Sequence, residues 1–77
     1  MDAHKLVKMA NQIAAFFASE PDRALALESI AGHLKRFWDP RMRRELLRWQ
    51  DEHAGEGLVT SARDAIVAHR DKLLGGV

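Results

Sequence analysis

Apolar residues recur at helical spacing in four runs along this chain, each bounded by residues that start or stop helices. On a wheel of about 100° per residue, Leu6, Val7, Met9, Ala10, Ile13, Ala14, Phe16 and Phe17 fall within roughly half the circumference. This predicts an amphipathic helix over residues 3–18, with Lys5, Lys8, Gln12 and Ser19 on or near the polar side. Glu20-Pro21 stops it, because the residue before a proline is pushed out of helical geometry. Leu27, Ile30, Ala31, Leu34, Phe37 and Trp38 repeat over residues 22–37 behind Asp22, a residue type that caps helix starts. Leu25 lies off that stripe beside Ser29 and Gly32, small residues that would let another backbone approach. Asp39-Pro40 is a strong start signal: the carboxylate accepts from free amides, and proline suits the position where its missing N–H is not needed. A third helix over 40–53 carries Met42, Leu46, Trp49 and His53 on one face. Ala54-Gly55-Glu56-Gly57 reads as a turn. A fourth helix over 58–73, with Leu58, Val59, Ala62, Ala65, Ile66, His69 and Leu73 on one face, ends at Gly75-Gly76. The expected fold is all-α: one domain spanning residues 1–77, a small bundle of about four amphipathic helices.

Two features of this pattern bear on function. The apolar face of the first helix is wider than the ~100° stripe of an ordinary surface helix, so it either packs between two neighbours or meets another protein. Self-association of the isolated chain is then also expected. The chain has 77 residues, and a domain of this size buries only about 60% of its unfolded surface. Net stability on the order of 4 to 12 kcal/mol follows from typical values per residue. With no cysteine, neither a disulfide nor a thiolate metal site can staple the fold. Residues 1–5 lack the layout of a secretory signal, and no apolar run approaches the ~20 residues needed to cross a bilayer. A cytoplasmic protein without a membrane segment is expected.

The formal net charge of +1 is unevenly spread. Between residues 35 and 48, Lys35, Arg36, Arg41, Arg43, Arg44 and Arg48 outnumber Asp39 and Glu45, a local balance of +4 that leaves −3 elsewhere. Helical spacing pairs Arg41 with Glu45, and Arg48 with Asp51 and Glu52, which leaves Lys35, Arg36, Arg43 and Arg44 as the free cations. That pairing, with the near-neutral total, argues against a phosphate-tracking face, so a nucleic-acid-binding domain is the weaker alternative. No nucleophile, base and stabiliser converge, and the serines sit where capping or solvation explains them, so no catalytic residue is assigned. His4, His33, His53 and His69 lack the i, i+4 spacing of helical zinc motifs, so no metal site is assigned either. His53 and His69 read as groove-lining or core-edge residues with one nitrogen hydrogen-bonded.

The remaining candidate chemistry is recognition of a protein. Trp, Met and Arg are enriched at interfaces, and Trp38, Met42, Arg41 and Arg43 gather around the proline-fixed corner at 37–43. The same aromatics and cap can instead hold the bundle together. The strings Leu6-Val7-Lys8-Met9-Ala10-Asn11-Gln12-Ile13-Ala14 with Phe16-Phe17, Ile30-Ala31 with His33-Leu34, and Phe37-Trp38-Asp39-Pro40-Arg41-Met42-Arg43 resemble the delta subunit of NAD-dependent, molybdenum-containing formate dehydrogenases. The likeness covers nearly the whole chain, the tail from Gly57 to Ile66 only in general pattern. It implies a non-catalytic accessory subunit that binds the large catalytic alpha subunit and supports assembly, stability or cofactor insertion. The complex, rather than this chain, would carry bis-molybdopterin guanine dinucleotide, iron-sulfur clusters, FMN and NAD. This sequence has no cysteine to ligate a cluster and no glycine-rich nucleotide loop. Asn11 and Gln12 interrupt no apolar stripe and have no evident capping task. With Phe37, Trp38, Asp39, Pro40, Arg41, Met42 and Arg43 they are the expected partner-binding residues. A helical adaptor for another oxidoreductase or maturation factor is the alternative.

Overall fold

The computed structural model describes residues 2–75, in which five helices follow one another without a strand: α1 (Ala3–Phe16), α2 (Arg23–Phe37), α3 (Pro40–His53), α4 (Thr60–Ala68) and α5 (Arg70–Leu73). An aspartate opens each of the first three. Asp2 accepts from the His4 amide at 2.9 Å, Asp22 from Leu25 at 3.2 Å and Asp39 from Met42 at 3.1 Å. Each bond satisfies one of the amides that a helix start leaves without an intrahelical partner. Pro40 takes the first turn of α3, as its fixed φ favours. Lys35 and Arg36 stand in the last turn of α2, where cations complement the helix dipole.

Three boundaries differ from those predicted. The first helix stops at Phe16 rather than 18: the Phe17 amide still reaches the Ile13 carbonyl at 3.3 Å, but residues 17–19 form a turn. Asp22 caps α2, as its residue type predicts, and the helix proper starts one residue later, at Arg23. The fourth run, expected to be continuous over 58–73, begins at Thr60 and breaks at His69, whose φ of −114° and ψ of 31° leave helical geometry. Beyond the break, Leu73 of α5 is buried in the core. Of the glycines predicted to end this segment, Gly75 has a φ of 89°, while Gly76 lies outside the described residues.

The core joins all five helices. Leu6, Val7, Ala10 and Ala14 of α1 meet Ile30 and Leu34 of α2, Leu46 and Leu47 of α3, Ala62, Ala65 and Ile66 of α4, and Leu73. Alanines on the facing sides of α1 and α4 permit close approach of their backbones. The α3–α4 connection turns through Ala54, in the left-handed region at φ 53°, and Gly55 at φ 68°. The positive φ of Gly55 is what favours glycine in this turn, since the atom that an added Cβ would meet most closely is at the movable end of the Gln50 side chain. Leu58 then drops into the core.

Between α2 and α3 the chain makes its sharpest choice. Phe37 and Trp38 are adjacent, so they point in different directions: Trp38 is 6% exposed and part of the core cluster, whereas Phe37 is 66% exposed. Trp38 adopts extended geometry (φ −94°, ψ 139°) while its amide closes α2 on the Leu34 carbonyl at 3.0 Å. Its indole is therefore the wedge that holds the α2–α3 corner to α1. Trp38→Ala should cost about 3 to 5 kcal/mol of stability, as truncation of large core aromatics does. Urea denaturation of the isolated chain measures this, and a loss below about 1 kcal/mol would mean that the corner stands without it.

Candidate interaction surface

The residues expected to bind a partner divide into two groups. Asn11 is half-buried and works within the chain: its Nδ2 donates to the Gly57 carbonyl at 2.9 Å and its Oδ1 accepts from the Val59 amide at 2.9 Å. Val59 is the N-cap residue of α4 and offers no side-chain cap of its own. Asn11 thus supplies, from α1, polar partners that the loop cannot find locally. Trp38 is core, Met42 is half-buried against the core, and the Asp39 carboxylate is engaged as a cap. Gln12, Phe37, Pro40 and Arg41 are exposed.

Arg43 departs most from its sequence reading as a free surface cation. It is 6% exposed on the inner face of α3, and its Nε and Nη1 meet no acceptor among the described residues. A guanidinium stays charged in proteins, so burial without acceptors is costly. Lys35 is half-buried, while Arg36 and Arg44 are exposed. The local pairing is also redrawn. Arg48 reaches Glu45 at 3.5 Å, but Asp51 turns to Arg70 of α5, which it meets with both oxygens at 2.9 and 2.6 Å. That fork holds Arg70 above its ordinary pKa, chiefly through the Asp51 hydrogen bond, with the charges of Asp51 and Asp71 adding to it. Arg23 of α2 likewise bridges to Asp64 of α4 at 2.6 Å.

An aromatic strip occupies the open side of α1 and α2. Phe16 is 77% exposed and sets its ring edge-on to Phe17 at 5.0 Å; Phe17 faces His33 at 6.4 Å, and His33 lies 4.7 Å from Phe37. An open groove of about 300 Å³ runs between Met9, Gln12, Ile13 and Phe16 on α1 and His33 and Trp38 across from them. A second, of about 390 Å³, continues past His33 to Leu25, Arg36 and Phe37. Nothing lies within 4 Å of where a Gly32 side chain would stand, so the small residues of α2 admit no neighbouring backbone and leave this face open. Phe16, Phe17 and His33 belong to the sequence strings that carry the resemblance but not to the residues expected to bind a partner, although the excess width of the first helix's apolar face is a signal for the two phenylalanines.

The other aromatic cluster is internal in purpose. Trp49 donates its indole N–H to the Glu56 carbonyl at 2.7 Å, stacks on His53 at 4.1 Å and receives His4 edge-on at 5.3 Å. His53 is exposed and held by stacking, not by the hydrogen-bonded core-edge placement expected of it. No group of three or more His, Asp or Glu side chains among the described residues is arranged to hold a metal ion. No helix there is long and apolar enough to cross a membrane.

Fold and surface together define a small all-helical domain whose exposed chemistry is aromatic and cationic. The sequence model of the NADH-dependent formate dehydrogenase delta subunit, FdsD, matches residues 5–66, and the chain belongs to that family. No curated protein and no solved structure matches it. The matched span runs from within α1 through α2 and α3 and takes in both grooves' aromatic residues and the Asn11 clamp on the loop.

Two substitutions separate the internal duties of these residues from surface ones. Asn11→Ala should destabilise the chain by about 0.5 to 1.5 kcal/mol by removing the bonds to the Gly57 carbonyl and the Val59 amide, both of which water can reach. Faster hydrogen exchange at the Val59 amide would report the loosened clamp. Arg43→Met should leave stability unchanged or raise it, since an apolar side chain of similar length removes two buried N–H groups that lack acceptors. Thermal denaturation checks the sign.

Proposed function

We propose that this chain is a non-catalytic accessory subunit that docks on the large molybdenum-containing catalytic subunit of a formate dehydrogenase and supports assembly, stability or cofactor insertion there. The reading places it in the cytoplasm, where the other subunits carry the molybdenum cofactor, iron-sulfur clusters, FMN and NAD site. The observation that carries it is the exposure of Phe16 and Phe37 on one open face of a chain belonging to the delta-subunit family. Contiguous exposed apolar surface of this kind marks interaction sites, and aromatics with arginine are the side chains that anchor them.

The docking face in this reading is smaller than the sequence motif and extends to either side of it. Gln12, Phe37, Pro40 and Arg41 present themselves outward, and Met9 and Phe16 join them across the groove. Trp38, Asp39, Met42 and Asn11 contribute by fixing the corner and the loop, which keeps those outward groups in place before the partner arrives. A surface ordered in advance avoids part of the entropy cost of association.

Affinity capture with the tagged chain tests this, expecting co-recovery of formate dehydrogenase subunits; capture of none of them would defeat the proposal. Phe37→Ser should leave the melting temperature nearly unchanged, because the ring is mostly outside the core. The same change should weaken association by about 2 kcal/mol, roughly 30-fold in Kd.

A further inference from the structure

The aromatic strip is bordered by cations that form no ion pair. Among the described residues, Arg23, Arg48 and Arg70 are engaged in ion pairs, whereas Lys8, Arg36, Arg41 and Lys72 are not. Arg36 and Lys72 line the groove that contains Phe17, His33 and Phe37. Lys8 is exposed one helical turn before Gln12 on α1. Arg41 lies apart from the grooves, in a hollow lined with Asp39, Pro40 and Arg44. The acidic groups on these borders are Glu28 in the second groove and Asp39, which is committed to the Met42 amide.

This charge arrangement discriminates between occupants of the strip. A second copy of the chain would bring the same cations toward one another as the apolar surfaces closed, and like charges become more costly as water leaves. An apolar segment with no charge would cover Phe16 and Phe37 but partly desolvate Arg36 and Lys72 without pairing them. A segment carrying apolar residues on one side and carboxylates along its edges fulfils both requirements. We propose that the Phe16–Phe17–His33–Phe37 strip, with Arg36 and Lys72 on its rim, binds an acidic amphipathic segment of the partner protein. The proposal rests on the docking reading above and specifies the chemistry that the partner brings. Apolar side chains of the segment enter the two grooves, and its carboxylates meet the rim, which adds attraction at long range and speeds the encounter.

The test uses the full chain and two synthetic amphipathic peptides of about 18 residues, identical in their leucine positions, one with glutamate and the other with lysine at the polar positions. Fluorescence anisotropy should show the glutamate peptide binding at least about tenfold more tightly than the lysine peptide, with its Kd rising as salt screens the rim. Arg36→Glu and Phe37→Ser should each weaken the glutamate peptide by about tenfold or more while circular dichroism and melting temperature stay as in the parent chain. Equal binding of the two peptides, no binding of the glutamate peptide, or a salt-independent Kd would overturn the proposal. So would a concentration-dependent dimer that Phe37→Ser abolishes, since the occupant would then be a second copy. Recovery of formate dehydrogenase subunits undiminished by Arg36→Glu would overturn it while leaving the docking reading intact. Peptide discrimination without such recovery would defeat the docking reading and leave the acidic-segment inference standing.

Discussion

The burial of one indole organises this molecule. Trp38 is placed at the point where α2 has ended and α3 has not begun, so its backbone is extended and its side chain is free to turn inward. Once it does, Phe37, the preceding residue and the last of α2, must face away from the core. Asp39 follows at once and caps α3, which leaves no slack between the two helices. Orientation of α3 against α1 follows from this short, stiff corner, and so does the position of the aromatic strip. The exposed ring of Phe37 is thus a geometric consequence of the buried ring of Trp38. Loss of the anchor would disperse the surface as well as the core.

A second constraint acts at the opposite end of the bundle. The loop between α3 and α4 contains glycines and a left-handed alanine, and α4 begins at a valine that cannot cap it. Polar groups there need partners from elsewhere. Asn11 supplies two of them from α1, and Trp49 supplies a third through its indole N–H. These bonds are long-range in sequence or bridge a turn, so they fix the loop against the bundle rather than merely closing it. The Asp51–Arg70 and Arg23–Asp64 pairs act similarly between helices, though their exposure to solvent keeps each contribution small.

Helical periodicity and start signals were enough to read three of the helices nearly to their ends, because Asp22, Asp39 and Pro40 act locally. The break at His69 was not legible, since it arises from the tertiary demand that Leu73 reach the core. The surface was harder to read for the same reason. Periodicity places Phe16 and Phe37 on apolar stripes, but a stripe wider than its neighbours can cover leaves its edge outside, and the extent of that cover is decided by helix packing. Arg43 illustrates the converse case. Its charge suggests solvent, yet its place on the inner face beside Leu47 carries it under. Asn11 seemed free for recognition only because its true partners, Gly57 and Val59, are distant in sequence.

The composition of the core supplies the final link between stability and function. Ala10, Ala14, Ala26, Ala31, Ala62 and Ala65 are buried, so helices approach closely, but each methyl removes little apolar area from water. Two phenylalanines meanwhile remain outside, each able to contribute roughly 1.5 to 3 kcal/mol if fully covered. A core that gives six of its buried positions to alanine while two phenylalanines stay outside is a poor arrangement for a chain that must stand alone. It suits one that is covered in an assembly. A partner that binds only the folded form stabilises it by mass action, by about 2.7 kcal/mol when its concentration is a hundred times Kd. In the docked state we propose, burial of Phe16 and Phe37 would therefore strengthen the fold of the subunit and its attachment together, because the same apolar area serves both.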